Sequence, residues 1–306
     1  MAVNAKIIKR RIKSVANTKK ITKAMQLVDA AKMRKAVASV LSSRPYATLA
    51  WSLVDRLTTS VATDVAGESH PLLTERKEVR KTLAILFTSD RGLCGGFNAQ
   101  VLRTTIDAIA KRPEGSIAFV AVGKRGEGWL NRRGLPVTAS FQGLLQAPTA
   151  ASLRPLGKLV IDQFAKGLCD EVLILYNDYV SAIVQKPRAK TLLPLKRDSE
   201  LGNVGTSNDV IPAKAGTQGV SDYLFEPNPQ AVLDAILPRI LEGQVYQAAL
   251  ESKASEHAAR MLAMQSATDA ATDMLDDLNF TYNQARQAGI TREIAEIAAG
   301  TAAIAG

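Results

Sequence analysis

The two ends of this chain lack the residues that break helices. All 12 prolines fall between Pro45 and Pro238, residues 1–44 contain neither proline nor glycine, and neither does the run from Gln244 to Ala288. Proline and glycine are the residues that interrupt a helix at least cost to the sequence. Their absence predicts one long helix at each terminus. At about 1.5 Å per residue, helices over residues 3–60 and 230–297 reach roughly 85 and 100 Å, against a radius of gyration near 19 Å for a compact chain of this length. Such helices are expected to project from a globular part inserted mid-sequence. Aromatic residues make up only 5% of the chain, which excludes a large aromatic core. No apolar run approaches the ~20 residues that span a bilayer. The N-terminus has no hydrophobic secretory core, and its periodic pattern continues through Lys32 and Arg34, so no cleaved leader is expected. The two cysteines, Cys94 and Cys169, match no metal or redox spacing and point weakly to a reducing compartment.

A 3-4 stripe occupies the C-terminal segment: Leu250, Ala254, His257, Met261, Met264, Thr268, Ala271, Leu275, Leu278, Tyr282 and Ala285. This period of 3.5 is the mark of a coiled-coil seam. The stripe ends at Gly289, and Ile290, Ile294 and Ile297 resume on a shifted register, so the last segment is expected to leave its partner. The N-terminal stripe runs Ile8, Ile12, Val15, then Ile21, Met25, Val28, with a phase jump after Val15. Charge is distributed unevenly. Residues 1–40 hold 11 Lys or Arg and a single acid, Asp29, so this segment alone carries the whole-chain net charge of +10. Residues 251–300 hold eight acids against four basic residues. Opposite charge suits mutual pairing. An intramolecular antiparallel coiled coil is expected in preference to a parallel homodimer, which would stack like charges.

Between these ends, Thr82–Thr88, Ile117–Val122 and Glu171–Tyr176 are short apolar runs of the buried parallel-strand type, and about 182–193 suits an edge strand. Helices are expected over about 97–112, 124–133 and 150–167. The fold class is therefore α/β with long helices: a coiled coil of the N- and C-terminal helices plus an inserted Rossmann-like α/β domain. The expected division is 1–63 helix, 64–81 linker, 82–195 α/β domain, 196–229 polar loop and contact segment, and 230–306 helix. Two Gly-rich turns, SDRGLCGGFN (89–98) and GKRGEG (123–128), resemble phosphate cradles but match neither G-x-G-x-x-G nor the Walker pattern. Tight strand-to-helix turns are the favoured local reading. His70, in a loop, and His257, in the seam, are the two histidines, and no nucleophile–base–acid set exists. No catalytic, metal or cofactor site is expected. On residues 1–40 alone, a basic helix that binds nucleic acid or an anionic lipid surface is an alternative.

Three motifs carry a resemblance over essentially the whole chain. IKSVANTKKITKAMQLVDAAKMRK (12–35), the SDRGLCGGFN loop, and SEHAARMLAM (255–264) with YNQARQAGIT (282–291) and Glu293–Ile297 resemble the gamma subunits of F-type ATP synthases. The resemblance implies a rotor shaft inside a hexamer of alternating alpha and beta subunits, standing on the c-subunit ring with the epsilon subunit. Proton flow would turn ring and shaft and drive the beta sites through their states in sequence. It implies a non-catalytic subunit with no nucleic-acid partner, peripheral to the membrane at the cytoplasmic face of a bacterial inner membrane. It also implies residue roles. Met25, in KITKAM, would lie against an acidic torque-transmitting loop of beta, with Lys20 and Lys23 adding positive charge. Arg286, Gln287 and Thr291, in ARQAGIT, would hydrogen-bond a second beta loop. Tyr223 and Glu226, in YLFEPNP, would meet the c ring and epsilon. Two departures stand out: the polar run 196–222 is about a dozen residues longer than the family pattern and lacks a regulatory dithiol, and the final AGTAAIAG is rich in alanine.

Overall fold

The computed structural model describes residues 5–64, 70–76, 78–195 and 226–305. Among the described residues five α-helices and five strands follow in the order α1 (Ala5–Asp64), β1 (Thr82–Phe87), α2 (Phe97–Ala110), β2 (Ile117–Val122), α3 (Lys124–Arg132), β3 (Val137–Phe141), α4 (Ala150–Ala165), β4 (Glu171–Tyr179), β5 (Gln185–Leu193) and α5 (Pro229–Ala305). The long terminal helices are 60 and 77 residues, as the absence of breakers predicts, and each carries one internal proline, Pro45 or Pro238. The chain divides into two units, residues 1–29 with 260–306, and residues 30–259.

In the second unit the sheet order is β3-β2-β1-β4-β5. The first three neighbour pairs are parallel, and β5 closes the edge antiparallel to β4. Strand side chains alternate between the faces. Leu83, Ile85 and Phe87 join Val120, Ile174 and Tyr176 beneath α4 and the first turns of α5, where Leu156, Val160, Leu237, Leu241 and Val245 are buried. Ala84 and Leu86 face the other way, with Phe119, Leu173 and Leu175, against Val101 of α2 and Leu130 of α3. Thr149 opens α4 with a reciprocal capping box: its hydroxyl accepts from the Ser152 amide, and the Ser152 hydroxyl accepts from the Thr149 amide. Gly157 lets α4 approach α5; a β-carbon there would lie 3.1 Å from Glu242 Cγ. Pro187 sits within β5, the edge position where a missing amide is tolerated.

Strand β3 has no counterpart in the sequence reading. Its five residues, VTASF, alternate between half-buried and exposed at the sheet edge. An edge strand contributes too few apolar residues to form a run.

The same unit holds part of the helix pair. Ala36 and Val40 of α1 pack on Leu250, Ala254 and Ala258 of α5 and on Tyr179 of β4. Ser43 Oγ donates to Gln247 Oε1 at 2.5 Å.

In the first unit, α1 and α5 also pair antiparallel. Thr22 faces Thr268, with 2.8 Å between the hydroxyl oxygens, and Arg260 reaches Asp29. The partners' residue numbers sum to 290 and 289. Met264, Thr268 and Ala271 are buried, and Leu275, Leu278, Tyr282 and Ala285 half-buried, in the predicted 3-4 order. From Ile290 to Thr301 every residue is exposed, as expected for a segment leaving its partner.

The phase jump expected in α1 is absent. The stripe instead runs Ile8, Ile12, Val15, Lys19, Thr22, Gln26 and Asp29 without a slip, each buried or half-buried. Ile21 and Val28, expected inside, are 60% and 52% exposed. The register is continuous, but its middle is polar, so apolar periodicity alone misplaced it by one position.

Candidate functional site

The two Gly-rich turns come together at the C-terminal edge of the sheet, and the chain's own side chains fill them. Ser89 and Asn98 clasp the ends of the first turn: the Ser89 amide donates to Asn98 Oδ1 at 3.0 Å, and Asn98 Nδ2 donates to Ser89 Oγ at 2.7 Å. Asp90 reaches across to accept from the amides of Lys124 and Gly143, at 3.1 and 3.0 Å. The Arg125 amide donates to Ser89 O, and the Gly126 amide to Thr88 Oγ1. The amides that open α3 are therefore engaged by Thr88, Ser89 and Asp90. A carboxylate occupies the position where a helix N-terminus would otherwise attract a phosphate. Gly123 permits the closeness: its φ is 98°, and a β-carbon there would lie 2.1 Å from the Thr88 carbonyl oxygen.

Open α/β sheets bind ligands where the strand order reverses, between β1 and β4 here. Asn177 Nδ2 donates to Phe97 O at 3.0 Å in that crevice, and Ser255 of α5 donates to Asn177 O at 3.0 Å. Ala259 of α5 packs on Cys94 and Phe97. The C-terminal helix thus plugs the crevice. The tight-turn reading of SDRGLCGGFN follows from this geometry.

Both histidines and both cysteines have structural surroundings. His70 Nδ1 accepts from the Leu72 amide at 3.1 Å, which leaves the proton on Nε2, 3.1 Å from Asp234. Burial holds the ring below its ordinary pKa against the pull of Asp234. His257 is buried. Burial pushes the Cys169 thiol up to about 11, which removes it from thiolate chemistry near neutrality. Among the described residues no group of His, Cys, Asp or Glu is arranged to hold a metal ion. No described helix is long and apolar enough to cross a membrane.

Most of the residues singled out from the sequence lie on the outer faces of the helix pair. Lys20 and Lys23 are exposed on α1, with Lys23 Nζ donating to Gln26 Oε1 at 3.1 Å, and Met25 is half-buried at the seam margin. Arg286, Gln287 and Thr291 are exposed on α5, where the Thr291 hydroxyl donates to Gln287 O at 3.0 Å. The two groups are separate patches. Met25 stands level with about residue 265, so Arg286 lies roughly 30 Å farther along α5. Glu226 is exposed just ahead of α5. Tyr223 and nearly all of the 196–229 segment lie outside the described residues.

Sequence reasoning missed the polar groups inside. Asp29 and Arg260 form an ion pair with 3.4 Å between Oδ1 and Nη1. Its sense opposes the expected complementarity: the one acid of the basic helix meets a base of the acidic helix. Lys6, Lys9, Arg10, Arg11, Lys13, Lys20 and Lys23 instead point outward. The signal for Asp29 was available, because it falls seven residues after Thr22 and is the sole acid in the first 40 positions. Glu251 is also buried, and its Oε1 accepts from Gln247 Nε2 at 2.9 Å.

Comparison with known proteins bears on this arrangement. The family model described as ATP synthase matches residues 4–304. The ATP synthase gamma chain of Alkaliphilus metalliredigens is 40% identical over 304 residues, covering 99% of this chain and all of that one. The ATP synthase gamma chain of Moorella thermoacetica is 42% identical over 298 residues, covering 97% and 98%. Among solved structures, a chain of the Euglena gracilis mitochondrial ATP synthase OSCP/F1/c-ring assembly, in rotational state 3, superposes with a TM-score of 0.64 at 18% identity, covering 98% of this chain and 94% of that one. A chain from the central stalk and c ring of the Tetrahymena thermophila mitochondrial enzyme gives 0.58 at 23% identity, covering 81% and 99%.

Proposed function

This chain belongs to the ATP synthase gamma chain family, and on that premise we propose that it is the central rotor shaft of an F-type ATP synthase. It couples rotation of the membrane ring to ATP synthesis at other subunits and has no catalytic site of its own. The observation that carries this reading is the match to gamma chains along nearly the whole sequence. The geometry agrees with it: the helices bury one another's polar and apolar seam and leave their outer faces to partners.

The finer roles are part of the same proposal. Lys20, Lys23 and Met25 form one contact with the beta subunits, and Arg286, Gln287 and Thr291 form a second. The exposed α1 lysines favour acidic partner loops, since solvated pairs of about 1 kcal/mol or less can form and break during rotation. Tyr223 and Glu226 meet the c ring and epsilon subunit. The complex sits peripherally at the cytoplasmic face of a bacterial inner membrane. The division into helix 1–63, linker 64–81, α/β domain 82–195, contact segment 196–229 and helix 230–306 is the working map for truncations.

Reconstitution tests the reading. The chain is mixed with alpha and beta subunits, and co-elution and ATP hydrolysis are measured. One copy per three beta subunits, with a gain in ATPase, is expected. Failure to associate at moderate salt, together with salt-sensitive binding to DNA or anionic vesicles, would favour the basic-arm reading instead.

A further inference from the structure

The stretch of α5 from residue 247 to 259 belongs to the second unit and is buried at every position except Lys253, which is half-buried. A helix lying on a surface buries one stripe, whereas this stretch is enclosed. Leu250, Ala254 and Ala258 meet Ala36 and Val40 of α1 and Tyr179 of β4. Ala248 and Ala249 join the core cluster that holds Leu156 and Val160 of α4. Ala259 packs on Cys94 and Phe97, at the start of α2. Lys253 Nζ donates to Gln146 O, in the loop between β3 and α4.

Most of these packing residues are alanine. Apolar burial is non-directional, so an alanine surface that slides around the helix axis keeps most of its area covered. Directional bonds are what fix the angle of the helix in its socket. Two of them tie α5 to the α/β domain. The Ser255 hydroxyl donates to Asn177 O at 3.0 Å, and Asn177 is itself fastened to α2, its Nδ2 donating to Phe97 O at 3.0 Å. The second bond is that of Lys253. Gln146 follows β3 and Asn177 lies on β4, on either side of β1 in the sheet. Being two residues apart, Ser255 and Lys253 point about 160° away from each other around the helix. Bonds on opposite sides of a shaft oppose its turning in either sense.

We propose that Ser255 and Lys253 key α5 into the α/β domain, making this enclosed stretch the torque-bearing joint between the globular part and the shaft helix. The proposal rests on the rotor-shaft reading above. In that reading α5 must turn with the domain, and a helix able to spin in its socket would let the domain rotate without the shaft. Asn177 is a positioning residue, because its bond to α2 holds the carbonyl that receives Ser255.

The test uses the complex reconstituted in vesicles, with Ser255→Ala, Lys253→Met and the double variant beside the unmodified chain. Assembly with alpha and beta subunits is read first. Failure of the unmodified chain to assemble overturns the rotor reading and the joint with it. In complexes that assemble, protons pumped per ATP hydrolysed is the deciding ratio. Losing one hydrogen bond raises the population of a slipped joint roughly fivefold. The ratio should therefore fall in each single variant and further in the double variant, while ATP hydrolysis continues. Lys253→Arg, which keeps a donor, should restore it. A merely structural role would lower the urea midpoint and leave the ratio unchanged, and an unchanged ratio in the double variant overturns the proposal. If the double variant does not assemble, the single variants decide by the same ratio.

Discussion

Asp29 of α1 and Arg260 of α5 lie 3.4 Å apart across the helix pair, each with a side chain only 8% exposed. Both helices otherwise turn most of their charges outward. Burying an ion pair adds little net stability, but removing one partner strands the other in a low dielectric. Asp29→Ala is expected to cost about 3 kcal/mol, and Asp29→Leu with Arg260→Leu to recover most of it. Urea unfolding of Asp29→Leu, Arg260→Leu and the double variant measures the coupling. Strictly additive losses would show that the pair does not hold the seam.

The turn at Asp90 gives a second prediction, one that separates an architectural role from a ligand role. The Asp90 carboxylate serves the amides of Lys124 and Gly143. Asp90→Ala should lower stability by about 1–2 kcal/mol, as for a lost helix cap, and leave the affinity of the assembled complex for nucleotide unchanged. A changed nucleotide affinity at intact stability would return this loop to the list of binding sites.

Acid sensitivity should arise elsewhere. Asp170 Oδ2 accepts from the amides of Lys81 and Arg80, both at 2.9 Å, and Oδ1 accepts from Arg76 at 2.9 Å. The Lys81 amide, more than the Arg76 charge, holds this carboxyl below its ordinary pKa of 3.8. A depressed carboxyl contributes stability above its unfolded value and loses it as pH falls through the folded one. Asp170→Asn should therefore flatten the pH dependence of unfolding below about pH 4, read by circular dichroism during acid titration.

The contact patches differ in what their loss should do. Reversing the charge at Arg286 should weaken ATP-driven proton pumping more than deleting the last ten residues does. Arg286 still lies beside the paired part of α5, opposite the start of α1, whereas residues 290–301 are wholly exposed. Fluorescence quenching in vesicles carrying the reconstituted complex measures both. An equal or reversed order counts against Arg286 as a torque contact.

The amino-acid sequence by itself determined the long helices, the four strands built from apolar runs or an edge pattern, and the α5 seam from Met264 to Ala285. Each of these is encoded locally, through missing breakers or apolar residues at a fixed period. It also carried the family motifs and so the outer-face residues. Tertiary structure decided where polar residues go inside. Thr22 and Asp29 are buried because Thr268 and Arg260 receive them, and no window of local sequence contains both partners. The same holds for β3, which is a strand because β2 supplies its hydrogen bonds, and for the Gly-rich turn, whose amides are engaged by side chains brought from across the sheet. Apolar burial follows from a residue's own chemistry, whereas polar burial requires a partner that only the folded chain brings into place.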